Sequence, residues 1–323
     1  MNVVYLDPVF PEMKKMLLDA KPQQAELKFA AEYEGEILDS ILSEAEYLLM
    51  ATEKVDRSLI EKLPRVKHIQ KTGIGVDNID LQEADKREIT VSNTPGANAT
   101  GVAELTILLI LALYRKLIVL DKATKNGEWQ MWEHRLSSYE LSGKVHGFIG
   151  FGNIGQETAK LSKGFGTEII YYDVLQASSE IEMEVDATYC QLDELLKKAD
   201  IISLHVPLIP QTRHLLSEKE FDLMKSSAVL INVSRGGIVN EDELARALSV
   251  GKIAGAGIDV WEGEPPNANH PLFQFDQVIA TPHIGAGTKD TLIRVLNMAF
   301  DNISSIEKGE QAKFVVSKSI HNV

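Results

Sequence analysis

Residues 144–155 of the 323-residue chain read KVHGFIGFGNIG, and this stretch decides the fold class. An apolar run, residues 145–149, enters the pattern G-x-G-x-x-G, and residues 156–163 continue at helical spacing. In such a pattern the first glycine makes a tight turn, the second lets the backbone approach a pyrophosphate, and the third lets the helix pack on the strand. The anion then lies at the amino end of the helix, where free N–H groups point at it. The stretch therefore predicts a strand–loop–helix unit that binds a dinucleotide.

An acidic residue supports this prediction and indicates which dinucleotide is bound. Asp173 ends a second apolar run, residues 168–172, close to the expected spacing of about 20 residues beyond the glycines. A carboxylate at this place accepts hydrogen bonds from ribose hydroxyls and repels a 2′-phosphate. The next basic residue, Lys197, is too far along the chain to offset that charge locally. We therefore expect NAD rather than NADP as the cofactor.

Short β-branched runs alternate with stretches of helical spacing in two series along the chain. Near-continuous apolar strands separated by helices are typical of parallel sheets that are covered on both faces. The predicted strands are residues 3–6, 47–50, 66–70 and 90–92 in the first series, and residues 145–149, 168–172, 201–204, 229–232, 257–260 and 278–280 in the second. The sequence thus predicts an α/β fold with two doubly wound parallel-sheet domains.

Two predicted helices mark where the chain passes between these domains. One is an apolar helix at residues 102–120, and the other spans residues 290–308 near the C-terminus. We expect a discontinuous domain of residues 1–100 plus 287–323, and a second domain of residues 101–286 that carries the glycine pattern. The apolar helix is expected to be buried or to lie at a subunit interface.

Composition argues against several classes of protein. Lys plus Arg number 33 against 47 Asp plus Glu, a formal net charge of −14, whereas nucleic acids and anionic membranes are bound by basic surfaces. The most apolar stretch, residues 102–120, is interrupted by Glu104, Arg115 and Lys116, and its uncharged core, residues 105–113, is far shorter than the roughly 20 residues of a membrane span. The single cysteine, Cys190, suits a reducing compartment, so we expect a cytoplasmic protein. No H-E-x-x-H, C-x-x-C, G-x-S-x-G or P-loop pattern occurs, which argues against a metal site, a serine hydrolase and a nucleoside triphosphatase.

Three polar side chains follow later apolar strands, where ligands bind in α/β sheets. Arg235 offers a fork that can hold a carboxylate. His283 can exchange a proton near neutral pH, and Glu264 can orient and support its imidazole. Glu262 is an alternative to Glu264, but the flanking glycine and proline favour Glu264. Beside a nicotinamide, these side chains predict hydride transfer on a 2-hydroxy or 2-keto acid.

Further motifs follow one another along almost the whole chain. They are TGIGVDN at 72–78, NTPG at 93–96, VAE at 102–104, the glycine pattern, HVPL at 205–208, and the segments around Arg235, Glu264 and His283. With these motifs in this order, the chain resembles the D-isomer-specific 2-hydroxyacid dehydrogenases, a family that includes D-3-phosphoglycerate dehydrogenase, D-lactate dehydrogenase and glyoxylate/hydroxypyruvate reductase. The resemblance implies a Rossmann NAD-binding domain, a smaller flavodoxin-like domain that binds the substrate, and a homodimer formed through the NAD-binding domain.

The resemblance also implies roles for individual residues. His283 would take the hydroxyl proton on oxidation and return it on reduction, while Glu264 would hydrogen-bond His283 and stabilise its protonated form. Arg235 would hold the carboxylate or carbonyl oxygen of the substrate, and backbone N–H groups around Ile74 and Gly75 would hold the carboxylate. The residues implied to contact NAD are Thr106, Gly150, Gly152, Asn153, Ile154, Gly155, Asp173, His205, Val206, Pro207, Thr212, Val233 and Ser234, together with Asp259 and Gly285 near the carboxamide.

Lys71 bears on the choice of substrate. It precedes the TGIG loop at 72–75, and in phosphoglycerate dehydrogenases a basic residue at the matching position touches the phosphate. Lys71 is expected either to bind the phosphate of 3-phosphoglycerate or to be solvated, with hydroxypyruvate or glyoxylate as the substrate. Two alternative functions are a NAD-sensing interaction protein, similar to the corepressors called C-terminal binding proteins, and a D-lactate-type dehydrogenase. Glu264 argues against formate dehydrogenase, which lacks a Glu partner for its His.

A few residues lie outside this pattern. His146 stands where the family usually has an apolar residue, and we expect a hydrogen-bonded core histidine without a catalytic role. His205 is expected to end a strand beside the cofactor, and Trp129 and Trp132 are expected to pack in the domain interface. The histidines expected to be ordinary surface or core residues are His68, His134, His214, His270 and His321.

Overall fold

The computed structural model describes residues 1–316, and these divide into two compact units. Unit 1 is Met1–Asn98 together with the segment that begins at Lys289, and unit 2 is Ala99–Thr288. Residues 317–323, which include His321 and the end of the predicted substrate-binding domain, lie outside the described residues.

Unit 1 is built on a five-stranded parallel sheet with the strand order β2-β1-β3-β4-β5. This order is that of flavodoxin-like folds. Its elements before the chain enters unit 2 are β1 (Asn2–Tyr5), α1 (Pro11–Ala20), β2 (Glu26–Phe29), α2 (Gly35–Glu44), β3 (Tyr47–Met50), α3 (Arg57–Ile60), β4 (His68–Lys71), α4 (Leu81–Lys86) and β5 (Thr90–Ser92).

Unit 2 is built on a seven-stranded parallel sheet with the strand order β12-β11-β10-β9-β6-β7-β8. Six of these strands have the order of a dinucleotide-binding Rossmann sheet, and β12 extends the edge. Its elements are α5 (Ala99–Tyr114), α6 (Leu117–Lys125), β6 (Val145–Ile149), α7 (Asn153–Gly164), β7 (Glu168–Tyr172), α8 (Ser179–Val185), β8 (Ala187–Tyr189), α9 (Leu192–Lys198), β9 (Ile201–Leu204), α10 (Glu218–Leu223), β10 (Val229–Asn232), α11 (Glu241–Ser249), β11 (Gly255–Ile258) and β12 (Val278–Ala280).

The last helix, α12 (Lys289–Glu307), returns the chain to unit 1. Its buried residues Leu296, Phe300 and Ile303 pack with Tyr5 and Tyr47 from the unit 1 sheet. Burying one apolar face of a helix against a sheet is what stabilises such a discontinuous unit. The α/β fold with two parallel sheets, predicted from the alternation of strands and helices, is confirmed.

The structure differs from the predicted elements at several strands and at one helix. Strands β2 and β8 were absent from the predicted set, and β11 spans Gly255–Ile258 rather than 257–260. The single helix predicted at residues 102–120 is wrong, because α5 ends at Tyr114 and α6 begins at Leu117. Lys116 between them has a left-handed backbone (φ 53°), which no α-helix can continue through.

Over residues 1–316, no helix combines the length and the apolar character that crossing a membrane requires.

Candidate active site

In unit 2, the predicted site residues lie in loops at the carboxyl ends of the parallel strands. Because all strands are parallel, the loops that follow β12, β11, β10, β9 and β6 leave from the same edge and are neighbours in that order. The chain builds outward from β6 first to β7 and β8, and then from β9 in the other direction. Ligands of open α/β sheets bind at the carboxyl ends of the strands, beside this change of direction.

The glycine loop after β6 requires its glycines. Gly150 has a φ of +94°, and a Cβ there would lie 2.7 Å from the carbonyl oxygen of His205. A Cβ on Gly155 would lie 2.6 Å from the carbonyl oxygen of Gly150, whereas one on Gly152 would meet nothing within 4 Å. Gly150 and Gly155 therefore permit close packing, and Gly152 leaves open space on the side from which a ligand approaches.

Helix α7 begins directly after this loop without a side-chain cap. Its N-cap is Gly152, and no side chain accepts a hydrogen bond from the first N–H groups of Asn153 and Ile154. Uncapped N–H groups at a helix amino end bind anions. Asp173, after β7, lies at the same loop, because its Oδ2 accepts a hydrogen bond of 2.7 Å from the backbone N–H of Phe151. An anion site beside a carboxylate is the donor and acceptor set that NAD requires.

The other residues predicted to contact NAD differ in how far they are exposed. Val206 and Pro207 follow β9, and Thr212 closes their loop, with its hydroxyl 2.6 Å from the carbonyl oxygen of Pro207. Val233 is buried in the core beneath α5. Thr106 is fully buried, and its hydroxyl donates to the carbonyl oxygen of Val102 within α5. The two buried side chains contribute to packing in this structure, and the exposed loop after β9 faces the glycine loop.

His283 and Glu264 form a hydrogen-bonded pair. Nδ1 of His283 lies 2.8 Å from Oε2 of Glu264, and both side chains are partly exposed. The second carboxylate oxygen, Oε1, accepts a hydrogen bond of 3.1 Å from the backbone N–H of Trp261. Since Glu264 engages Nδ1, the other imidazole nitrogen, Nε2, is the one available to exchange a proton with a ligand.

Asp259 holds the loop that carries His283. Its Oδ1 accepts hydrogen bonds from the N–H of Ile284 (2.9 Å) and the hydroxyl of Thr281 (2.6 Å), and its Oδ2 accepts one from the N–H of Gly285 (2.9 Å). His283 itself donates from its N–H to the carbonyl oxygen of Asp259 (2.7 Å) and has a left-handed backbone (φ 54°). These bonds stabilise that strained conformation. This anchoring role was not predicted from the sequence, where the one signal for it is an acidic residue that directly follows a buried strand.

Arg235 lies in the loop after β10, where the buried Asn232 shapes the backbone. The Asn232 amide donates to the carbonyl oxygen of Arg235 (2.9 Å), and its oxygen accepts from the backbone and hydroxyl of Ser234. A Cβ on the next residue, Gly236, would lie 1.9 Å from the carbonyl oxygen of Trp261. The loop of Arg235 therefore packs directly on the loop that leads to Glu264.

Glu262 does not share the position of Glu264. Its carboxylate pairs with Arg213 and lies 3.4 Å from Nε2 of His214. Its N–H donates to Oε1 of Glu241 (2.8 Å), whose other oxygen lies 2.9 Å from Nε2 of His270. Glu264 is thus the one of these two carboxylates that contacts His283.

The residues predicted to bind the substrate from unit 1 follow β4. Lys71, the last residue of β4, is buried, and its ammonium donates to the carbonyl oxygen of Ala51 and to Oδ1 of Asn78 (3.0 Å). Ile74 and Gly75 are partly exposed in the next loop, which Asn93 holds by donating to the carbonyl oxygen of Ile74 (2.9 Å). Ile74 and Gly75 are therefore only partly buried, while the Lys71 ammonium is engaged inside unit 1.

The remaining predicted residues are accounted for within the described chain. His146 is a fully buried core histidine that hydrogen-bonds to Ser162 and Ser203, as predicted. Trp129 and Trp132 are 77% and 62% exposed, so neither is buried in a hydrophobic core, and their place in the domain interface stays a prediction. Among residues 1–316, no group of three or more His, Cys, Asp or Glu side chains could hold a metal ion.

The chain is similar to known proteins over most of its length. Residues 107–285 match the family model described as D-isomer specific 2-hydroxyacid dehydrogenase, NAD binding domain. A glyoxylate reductase of Thermococcus litoralis is 42% identical over 291 residues, covering 88% of this chain and 87% of that protein. A hydroxypyruvate reductase of Thermotoga maritima is 40% identical over 293 residues, covering 90% and 92%. The crystal structure of D-lactate dehydrogenase with NAD+ from Lactobacillus jensenii, 28% identical, covers 98% of this chain and 100% of that one with a TM-score of 0.83.

Proposed function

The chain belongs to the D-isomer-specific 2-hydroxyacid dehydrogenases, and from this premise we propose that it reduces glyoxylate and hydroxypyruvate with NADH. An NAD-dependent 2-hydroxyacid dehydrogenase activity is that of the family as a whole. The observation that carries the assignment to this site is the His283–Glu264 pair, 2.8 Å apart at the carboxyl edge of the sheet that carries the glycine loop. Two relatives that each match about nine-tenths of the chain are named for these two substrates.

The proposed mechanism assigns each side chain one task. NADH, when bound, supplies a hydride to the carbonyl carbon of the 2-keto acid. His283 donates a proton from Nε2 to the carbonyl oxygen, which completes the hydroxyl group and leaves the imidazole neutral. Glu264 holds Nδ1, so that the ring keeps its orientation and its protonated form is stabilised before the transfer. Arg235 binds the substrate carboxylate or the carbonyl oxygen through its planar guanidinium.

The environment of Lys71 favours an unphosphorylated substrate. The Lys71 side chain is buried, and its ammonium already donates to two oxygen atoms of unit 1. Binding a phosphate would require Lys71 to give up these partners or to share its charge with them, at a cost in free energy. Glyoxylate and hydroxypyruvate carry no phosphate and therefore need no such cation.

The test is the substrate preference of the purified protein. NADH oxidation would be followed with glyoxylate, hydroxypyruvate, phosphohydroxypyruvate, pyruvate and 2-oxoisocaproate, and then repeated with NADPH. We expect kcat/KM to be at least about tenfold higher for glyoxylate or hydroxypyruvate than for the other acids, a difference of about 1.4 kcal/mol in transition-state binding. NADH should be preferred over NADPH, because Asp173 repels a 2′-phosphate.

Other outcomes would assign the function differently. Preference for phosphohydroxypyruvate that is lost in Lys71→Met would establish the phosphate role of Lys71 and overturn the proposal. Preference for pyruvate would indicate the D-lactate type. His283→Ala is the control for adventitious reduction, since loss of the acid–base group lowers turnover by about 10²–10⁴-fold.

We further propose a cytoplasmic homodimer formed through unit 2. Cys190, the single cysteine, is a free thiol, which suits a reducing compartment. Apolar side chains of the first 40 residues of unit 2 remain exposed, as expected for a surface that a second copy covers. They are Leu108, Leu117, Ile118, Trp129, Met131, Trp132 and Leu136. Sedimentation equilibrium should give about twice the chain mass of 35.8 kDa; a mass of one chain would contradict the dimer.

A further inference from the structure

A continuous series of hydrogen bonds lies beneath the glycine loop of unit 2. Nε2 of His205 is 2.9 Å from the hydroxyl of Ser203, which is also 2.9 Å from Nε2 of His146. Nδ1 of His146 is 2.8 Å from the hydroxyl of Ser162, and that hydroxyl is 2.8 Å from the hydroxyl of Thr167. His146, Ser162 and Ser203 are fully buried. We call these five residues the buried relay.

The buried relay connects the elements that form the dinucleotide site. His146 lies on β6, Ser203 on β9, Ser162 in the last turn of α7, and Thr167 directly before β7. His205 follows β9. A Cβ at Gly150 would lie 2.7 Å from the carbonyl carbon and oxygen of His205, so the two backbones are in close contact. The buried relay therefore connects β6 and β9, the two strands between which the sheet changes direction, to α7. The amino end of α7 is the predicted binding site of the pyrophosphate.

The ring of Phe148 adds an apolar wall to the same structure. It stacks on His146, with ring centroids 4.0 Å apart, and on His205, with centroids 5.8 Å apart. Helix α7 is thus held near its amino end by the close contact of Gly155 with Gly150, and near its carboxyl end by the bond from Ser162 to His146. Two contacts separated along a rigid helix fix the direction of its axis.

The direction of the hydrogen bonds follows from one buried atom. Nδ1 of His205 is buried, and it has no hydrogen-bond partner in the described part of the chain. Buried N–H groups without acceptors are rarer than unmatched acceptors, so His205 carries its hydrogen on Nε2 and donates to Ser203. Ser203 then donates to Nε2 of His146, which carries its own hydrogen on Nδ1 and donates to Ser162. In the opposite direction His205 would carry its hydrogen on the buried Nδ1, which has no acceptor in the described part of the chain.

We propose that His205 and His146 are positioning residues for NAD, which act through the buried relay by fixing the glycine loop and α7 in the arrangement that receives the pyrophosphate. A buried polar network that is fully satisfied specifies one arrangement of its elements, whereas an aliphatic contact tolerates sliding. Loss of the relay should therefore weaken cofactor binding more than it alters the reaction of the bound substrate.

Ser203→Ala breaks the relay at its centre. We expect the Kd for NADH, measured by fluorescence titration without substrate, to rise about tenfold, which corresponds to about 1.4 kcal/mol. At saturating NADH, kcat and the KM for the keto acid should stay within about twofold of the wild-type values. Ser203→Thr keeps the hydroxyl and should restore the affinity for NADH.

Thr158→Val is the matched control, because Thr158 is also a buried hydroxyl of α7 but donates only to its own helix, at the carbonyl oxygen of Ile154. An unchanged Kd in a folded Ser203→Ala variant, or an equal rise in Thr158→Val, would show that the relay is merely structural.

The tautomers of the wild-type histidines give an independent test by ¹⁵N NMR on histidine-labelled protein. Hydrogen on Nε2 of His205 and on Nδ1 of His146 supports the relay, and any other pair of tautomers overturns it.

Discussion

At Glu264 one carboxylate is held at both oxygens, by His283 and by the backbone of Trp261. Glu264→Gln removes the charge while keeping the shape, and it leaves an amide that can turn an N–H toward the imidazole. We predict a fall in kcat/KM of about 10–100-fold, because a hydrogen bond to a charged group contributes about 1.5–3 kcal/mol. Steady-state NADH oxidation with glyoxylate measures this change.

Glu262→Gln is the control for this prediction, because Glu262 lies in the same loop but pairs with Arg213 and His214. It should keep kcat/KM within about threefold of the wild-type value, as is usual for a partly exposed ion pair away from the reacting atoms. If the two variants lost activity equally, the specific role of Glu264 would be wrong.

For individual residues, the sequence predicts the side chains proposed to contact the substrate better than the side chains that hold those residues in place. Arg235 and His283 were predictable because each follows an apolar strand and carries a chemistry that few residues offer. The anchoring role of Asp259 depends on β11 and β12 being neighbours, which their separation along the chain does not reveal. The bond between His146 and Ser203 likewise depends on the pairing of β6 with β9.

The loop that carries Arg235 contacts the loop that leads to Glu264 at Gly236, and this contact can be tested by substitution. Any Cβ at this position would lie 1.9 Å from the carbonyl oxygen of Trp261, and backbone atoms cannot yield as a flexible side chain does. Gly236→Ala should therefore displace the loop of Arg235 against that of Glu264. We predict a fall in kcat/KM of about 100-fold, the effect of misplacing a catalytic group by about 1 Å.

Gly263→Ala provides the comparison, since a Cβ at Gly263 would meet nothing within 4 Å and its backbone is not left-handed. Activity and thermal unfolding of this variant should match the wild type closely. Normal activity in Gly236→Ala would mean that the two loops are not packed as described.

The strands that the sequence predicts best are those composed mainly of apolar residues. β6, β7, β9 and β10 were predicted with their observed bounds, because these strands are largely buried and most of their residues are apolar. β2 and β8 are edge strands, and their short sequences ELKF and ATY carry too few apolar residues to stand out. The break at Lys116 had no signal, since lysine is a good helix former.

For the whole molecule, buried histidines predict how stability depends on pH. Burial is the main cause of a lowered pKa at three histidines. It lowers the pKa of His68 to about 4 and the pKa of His205 to about 3, and it holds the pKa of His146 well below its usual range. In the unfolded chain these groups have a pKa near 6.5, so below that pH the unfolded state binds more protons. The free energy of unfolding is therefore highest above pH 6.5 and falls as the pH falls below it.

Urea unfolding at pH 7.5 and pH 5 measures this effect. The buried His68, whose pKa is lowered to about 4, should alone lower the free energy of unfolding by roughly 2 kcal/mol over this range, because each pH unit below 6.5 contributes about 1.36 kcal/mol. Burial of His146 acts in the same direction. His68→Gln should flatten the dependence, whereas His134→Gln, which changes a histidine bonded only to the nearby Gln130, should leave it unchanged. A free energy that is equal at the two pH values would contradict the neutral, buried state of these side chains.

The protein is expected to reduce a 2-keto acid to a single enantiomer, and the product formed from hydroxypyruvate tests this most directly. The purified protein would be incubated with hydroxypyruvate and NADH, and the amount and configuration of the glycerate would be determined by chiral chromatography. We predict one D-glycerate for each NADH oxidised, formed about 10²–10⁴-fold more slowly by His283→Ala. L-glycerate, a racemic mixture, or NADH binding without any glycerate would contradict it.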